Sequence, residues 1–203
     1  LDNPSGLVPT GENAADDPAS LPYLASSQIV AWTTAMRLAE VAEATRLGPE
    51  PGSLRQTAGL LRTRFDAAFD GGEAPWPYAV DGRGAHTAYH DANDLPVALA
   101  PLWGFCRPAD GAWLATMRFA RSSLNPGWVA GELAGLGSAH TPGAWTLGDI
   151  QHWIAARTTS DRRLMDAAVA RLRAVAFPDG MLPEAYAPGG VRLRHWFACP
   201  GAA

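Results

Sequence analysis

Two stretches of this sequence, one near each end, carry the residue types that proton-transfer chemistry needs. The late one is Gly180-Met181-Leu182-Pro183-Glu184-Ala185-Tyr186, which sets a carboxylate between a proline and an aromatic residue, with Arg194-His195-Trp196-Phe197 following. The early one is Asp16-Asp17, in a loop ahead of a helical run. A carboxylate among aromatic side chains and beside a cation suits sugar cleavage, because rings stack on pyranose faces while the carboxylate activates a water. A second acid across a pocket would protonate the leaving group. Each stretch also has a simpler reading. Glu184 can sit in a capped loop before a core helix, and paired aspartates often do no more than face a helix dipole.

Two more polar stations lie between them. Tyr89-His90-Asp91-Ala92-Asn93-Asp94 crowds hydrogen-bonding side chains into one loop end, enough to grip several sugar hydroxyls, although Asn93 or Asp94 can equally serve as a helix cap. Gly137-Ser138-Ala139-His140-Thr141-Pro142 leads into Trp145 and Asp149, and its glycines permit a close approach of backbone to ligand. Of the 8 tryptophans, Trp76, Trp128, Trp145 and Trp196 fall near glycine- and proline-rich junctions where a carbohydrate site would be lined. A metal site fits poorly. His86 and His90 stand four apart, but on a strand-to-loop segment that does not bring them onto one face. No phosphate-binding glycine loop, G-x-S-x-G elbow or cysteine–histidine signature is present, which argues against nucleophilic acyl transfer.

Composition narrows the class. At 203 residues, with 47% hydrophobic and 18% charged, the chain is globular and long enough for one domain with a sizeable core. A net charge of -4 without a basic run argues against nucleic acid or an anionic membrane as partner. Cys106 and Cys199 are too few for a disulfide framework and read as buried, reduced thiols. No apolar stretch reaches transmembrane length. The chain opens on Leu1 in a loop-like stretch, so a processed or truncated chain is expected, with a cytoplasmic location as the default.

The elements that must position these residues are helical. Apolar spacing predicts a helix over about 26–47, stopped by Gly48-Pro49-Glu50-Pro51-Gly52, and a second that starts from a capping box at Ser53-Leu54-Arg55-Gln56. The two form an αα-hairpin. Residues 77–89 flank Asp81-Gly82-Arg83-Gly84 as a small β-hairpin or a long excursion between helices. Further helices are expected over 95–103, 111–122, 145–158 and 162–177, the last capped by Thr159-Ser160-Asp161. Nothing alternates strand with helix as a parallel sheet requires, and no repeat marks a solenoid.

In this order, the motifs resemble those of glycoside hydrolase family 125, the metal-independent exo-acting α-1,6-mannosidases. Gly6-Leu7-Val8 through Asp16-Asp17 to Tyr23-Leu24 and Ser27 is similar to that family's double-aspartate loop. Val80-Asp81-Gly82, then Asp91-Ala92-Asn93, and later Asn125-Pro126 resemble its middle signatures. Gly135 to His140 with Trp145, and Glu184 with Tyr186, Arg194, Trp196, Phe197 and Ala198, resemble its closing ones. The resemblance implies an all-α fold, an (α/α)6 toroid of the six-hairpin glycosidase type. Here it would be an incomplete ring of about six or seven helices with a small β-hairpin insertion, residues 1–203 forming one domain from the C-terminal portion of the catalytic toroid. It implies an inverting hydrolysis with Asp16 or Asp17 as general acid and Glu184 as general base, no cofactor and no metal. It further implies a mannoside oligosaccharide as substrate, with Tyr23, His90, Asp91, Asn93, His140, Trp145, Arg194 and Trp196 in contact with it. The sequence departs from the family at Pro18 (a small residue there), His90 (another acid) and Pro183 (a histidine), positions around the expected sugar-binding shell. A glucoamylase- or trehalase-like enzyme, or a non-catalytic helical carbohydrate-binding module, are the alternatives.

Overall fold

The computed structural model describes residues 5–69 and 72–193, together with the backbone of 196–197. Among these residues six helices run in chain order: α1 (Ala25–Thr45), α2 (Pro51–Phe69), α3 (Leu95–Leu99), α4 (Gly111–Ala120), α5 (Thr146–Thr158) and α6 (Arg162–Val175). Nine two-residue strands join them: β1 (Tyr23–Leu24), β2 (Ala79–Val80), β3 (His86–Thr87), β4 (Trp128–Val129), β5 (Gly135–Leu136), β6 (Ala144–Trp145), β7 (Leu182–Pro183), β8 (Ala185–Tyr186) and β9 (Trp196–Phe197). The strands form four small sheets, and every pairing is antiparallel. The chain is therefore mostly helical, with small sheets between the helices. The expected hairpin is present as β2–β3 and gains β1 as a third strand. Strands this short carry no alternation of apolar and polar residues, so β4 through β9 leave no periodic trace in the sequence.

Two of the helix pairs pack as hairpins. α1 lies along α2 and α5 along α6, while α3 touches both α1 and α5. α4 is tied to α3 by the buried Trp113, whose indole N–H donates to the Val97 carbonyl at 2.9 Å. α2 begins two residues before the expected capping box. Pro51 occupies the first helical position, where its missing N–H costs nothing, and the Glu50 carboxylate accepts from the Gly52 and Ser53 amides at 2.8 and 2.6 Å. α3 ends at Leu99 rather than continuing to Trp103, and the chain turns back as the Phe105 N–H reaches the Ala100 carbonyl at 2.9 Å. Asp161 caps α6 as expected, accepting from the Leu164 amide at 3.0 Å.

The core lies between the hairpins. Phe65 and Phe69 on α2 stack at 4.7 Å, and Trp76 and Phe105 pack edge-on to Phe65 at 5.2 and 4.9 Å. Such pairs add roughly 0.5–1.5 kcal/mol each beyond the area they bury. Phe65 and Phe69 are buried on α2 together with Ala58. Cys106 is partly buried and unpaired, its thiol pushed up to about 12 by burial; Cys199 lies outside the described residues. No helix among the described residues is long and apolar enough to cross a membrane.

Candidate active site

The loops that precede α1, α3 and α5 meet at one end of the helices. Asp94, the residue before α3, hydrogen-bonds through its side chain to Ser26 in the first turn of α1. Gln151 of α5 donates to the carbonyls of Asp91 and Ala92 at 3.0 and 2.6 Å. The chain thus fastens three helix N-termini side by side, and the polar stations of the sequence sit on the loops above them.

The early aspartates lie in a narrow hairpin-like loop, held by Thr10 N–H to Pro22 and Ala19 N–H to Gly11. Asn13 shapes its tip: its side-chain oxygen accepts from the amides of Ala15 and Asp17 at 2.8 and 3.0 Å. That turn puts Asp16 in the left-handed region at φ 61, with its side chain exposed. Asp17 is half-buried and faces inward, its Oδ1 lying 3.2 Å from His140 Nδ1. The two neighbours therefore differ. Only Asp17 is directed toward the middle stations.

The late glutamate is placed by a strand pair. β6 and β8 align Trp145 with Ala185 and Ala144 with Tyr186, so Glu184 arrives beside the start of α5. Its carbonyl accepts from the Thr146 amide at 3.4 Å, one of the helix-start donors that lack an intrahelical partner. The Thr146 hydroxyl donates to the preceding carbonyl, that of Pro183, at 2.9 Å. The Glu184 carboxylate accepts from the Thr141 hydroxyl at 3.2 Å. Behind this pair, Tyr186 donates to Asp149 at 2.7 Å and Arg171 reaches the same carboxylate at 2.5 Å, a buried triad that pins β8 to α5 and α6.

Asp91 organises the centre. It is 1% exposed. One carboxylate oxygen accepts from the Asn93 amide and side chain at 2.8 and 3.0 Å. The other accepts from Tyr89, Ser138 and the Ala139 amide at 2.7, 3.1 and 3.4 Å. His90 is 2% exposed, with Nε2 at 2.8 Å from Gln151 and its backbone clasped by Asn125. Burial lowers the pKa of its imidazole. Trp145 is 3% exposed and donates to the Thr141 carbonyl at 2.9 Å. Tyr23 is half-buried against the main core, while Asn93 is half-buried and His140 exposed. The side chains of Arg194 and Trp196 lie outside the described residues.

Burial also perturbs the neighbouring acids and phenols. Asp94 is pushed up to about 7 by desolvation, with the charge of Asp91 adding to it. The phenols of Tyr78 and Tyr89 are raised chiefly by desolvation, and the nearby aspartates reinforce the shift. Among the described residues no three His, Cys, Asp or Glu side chains converge as a metal ion would require.

The glycines near His140 serve the protein rather than a ligand. A Cβ on Gly137 would stand 2.5 Å from the Gly143 carbonyl oxygen, and the Gly137 N–H and C=O bond to Gly127 and Ala92. Asn13 and Gln151 were not among the candidates from sequence, and Ser138 and Thr141 lay within the Gly137–Pro142 stretch without being singled out. Each does its work across a long stretch of chain or through a local turn, and hydroxyl and amide side chains are too common for type alone to mark them.

The comparisons with known proteins give the family and the fold. A family model for the metal-independent alpha-mannosidases (GH125) matches residues 1–200. No curated protein matches. Among solved structures, one from a family of metal-independent alpha mannosidases is similar, a Streptococcus pneumoniae protein in a non-productive substrate complex with alpha-1,6-mannobiose. It superposes with a TM-score of 0.82 at 24% identity, over 98% of this chain and 48% of that one. The present chain spans about half the length of that structure, and at this identity the likeness speaks to the fold.

Proposed function

This chain belongs to glycoside hydrolase family 125, the metal-independent alpha-mannosidases, and from that premise we propose that it carries the acid and base of an inverting, exo-acting α-mannosidase. Asp17 is the general acid and Glu184 the general base. The observation that carries this reading is that consecutive residues of one loop, His140 and Thr141, bond to Asp17 and Glu184 respectively. An early and a late carboxylate are thereby brought to one locus from opposite ends of the chain. Inversion needs the two carboxyls about 6.5–9.5 Å apart, so that a water fits on the face opposite the leaving oxygen. Asp17 protonates that oxygen while Glu184 takes a proton from the water.

The exposed or half-buried polar groups around them, His140 and Asn93, contact sugar hydroxyls. His90, Asp91 and Trp145 stand behind, where their burial suits them to hold loops rather than to touch a ligand. The proposed substrate is an α-1,6-linked mannoside, in keeping with the mannobiose bound by the Streptococcus pneumoniae structure. We place the three hairpins in an (α/α)6 ring as part of the same proposal, with α1, α3 and α5 as inner helices, because the loops before all three converge on the site.

The test is turnover of an aryl α-mannoside and of α-1,6-mannobiose by the full-length protein. Glu184→Gln and Asp17→Asn each abolish it with the thermal transition unchanged, while Asp16→Asn leaves most of it. Activity retained in both of the first two variants removes the assignment. Faster turnover of the matching aryl glucoside would move the protein to the glucoamylase- or trehalase-like class.

A further inference from the structure

Thr141 is unusual among the residues near the two acids. It is a hydroxyl side chain only 4% exposed, on a loop whose neighbouring positions are open to solvent. Its backbone is fixed from one side by the Trp145 indole, which donates to its carbonyl at 2.9 Å. Trp145 is itself locked into the β6–β8 ladder opposite Ala185, the residue after Glu184. The Thr141 hydroxyl closes the circuit by donating to Glu184 Oε1 at 3.2 Å. Threonine is stiff about χ1, so the hydroxyl is delivered in a set direction.

We propose that Thr141 is a positioning residue for Glu184. It engages one carboxylate oxygen and thereby sets the rotation of the carboxylate, which aims the second oxygen at the attacking water. This rests on the reading of Glu184 as the general base. The residue before Thr141, His140, contacts the other acid, and consecutive Cα atoms lie about 3.8 Å apart. The two acids are thus held by adjacent residues of one loop and not by two independent loops. A small displacement of a reacting group costs on the order of 100-fold in rate, which makes such registration worth a buried hydroxyl.

The test compares Thr141→Val, which replaces the hydroxyl by a methyl of similar size, with Thr141→Ser, which restores it. The carboxyl carbon resonance of Glu184, assigned by its loss in Glu184→Gln, is recorded in 13C-glutamate-labelled protein at one pH. It moves in Thr141→Val and returns in Thr141→Ser. In the same variants kcat toward an aryl α-mannoside falls on the order of 10–100-fold in Thr141→Val, with KM within about twofold, and recovers in Thr141→Ser. Thr141→Ala replaces the valine variant should that fail to fold. A resonance that stays in place overturns the proposal, as does one that moves with kcat unchanged. An active Glu184→Gln protein instead overturns the reading of Glu184 as base, and the resonance distinguishes the two failures because it reports the contact without turnover.

Discussion

His140 Nδ1 lies 3.2 Å from Asp17 Oδ1, a contact between residues 123 positions apart that joins the loop before α1 to the loop before α5. Both side chains are substantially open to water, at 42% and 33%, so the contact contributes at most about 1 kcal/mol to stability. Its value lies in aim. Removing the ring by His140→Ala is expected to leave the melting temperature within a few degrees and to lower kcat at least about tenfold, since the acid loses its orienting partner. Thermal melts and initial rates on the same preparation check both halves; an unchanged kcat would show that Asp17 needs no such support.

Asp91 sits in the opposite energetic regime. Its carboxylate is buried and accepts from Tyr89, Asn93, Ser138 and the Ala139 amide, so removing it leaves several donors without a partner. Asp91→Ala should destabilise the chain by at least about 1–3 kcal/mol, the cost of leaving a buried hydrogen-bonding group without a partner. Asp91→Asn keeps the shape but turns one acceptor into a donor, and should cost less. Denaturant unfolding separates them. A surface-like cost below about 0.5 kcal/mol for Asp91→Ala would return Asp91 to the ligand-binding group.

Gly137 offers a steric prediction with a built-in control. An added Cβ would meet the Gly143 oxygen at 2.5 Å and Val129 Cγ2 at 3.0 Å, with backbone unable to yield. Gly137→Ala should therefore cost about 1–3 kcal/mol and disturb the loop that presents His140 and Thr141. At Gly11, in the loop that carries Asp17, nothing stands within 4 Å of the added atom. Gly11→Ala should be close to neutral in both stability and turnover. Equal effects at the two positions would contradict the packing described.

The sequence disclosed the helices and the stations but not how one reaches another. The α1–α2 hairpin, α5 and α6 were readable because their buried positions recur with helical period over several turns. The Asp16-Asp17 pair and Glu184 stood out as candidates because carboxylates set in loops are informative residue types, but the difference between Asp16 and Asp17 comes from the Asn13 turn and is not visible in residue type. What brings Glu184 to Thr141 is a ladder of two residues on each side, β6 with β8, too short to leave a pattern. The orientation of His90 was also hidden. Its loop reads as polar and accessible, yet Gln151 of α5, 61 positions later, draws the ring into the interior. Side-chain bonds of that sequence separation have no local signature.

Two buried groups give opposite pH slopes, and their overlap makes a prediction that only variants can expose. Asp94 is raised from 3.8 to about 7 by burial and by Asp91, so between those values the folded chain binds more protons than the unfolded one. Its contribution is fully present below about pH 4 and is lost as pH rises toward 7. His152 is lowered from 6.5 to about 3 by burial and by Arg171 and Arg121, and its Nε2 has no hydrogen-bond partner among the described residues. Here the unfolded chain binds the proton first, so stability is lost as pH falls from 6.5 toward 3. Across the shared window the two slopes oppose each other and the wild-type profile is flattened. Relative to wild type, Asp94→Asn should gain stability steadily from pH 4 to 7, whereas His152→Phe should gain it as pH falls through 6.5. Urea midpoints measured at intervals across that range decide the matter: parallel profiles for wild type and Asp94→Asn would mean that the Asp94 carboxyl is hydrated like an ordinary surface acid, and that the helix N-termini are not packed as tightly as the Ser26 contact requires.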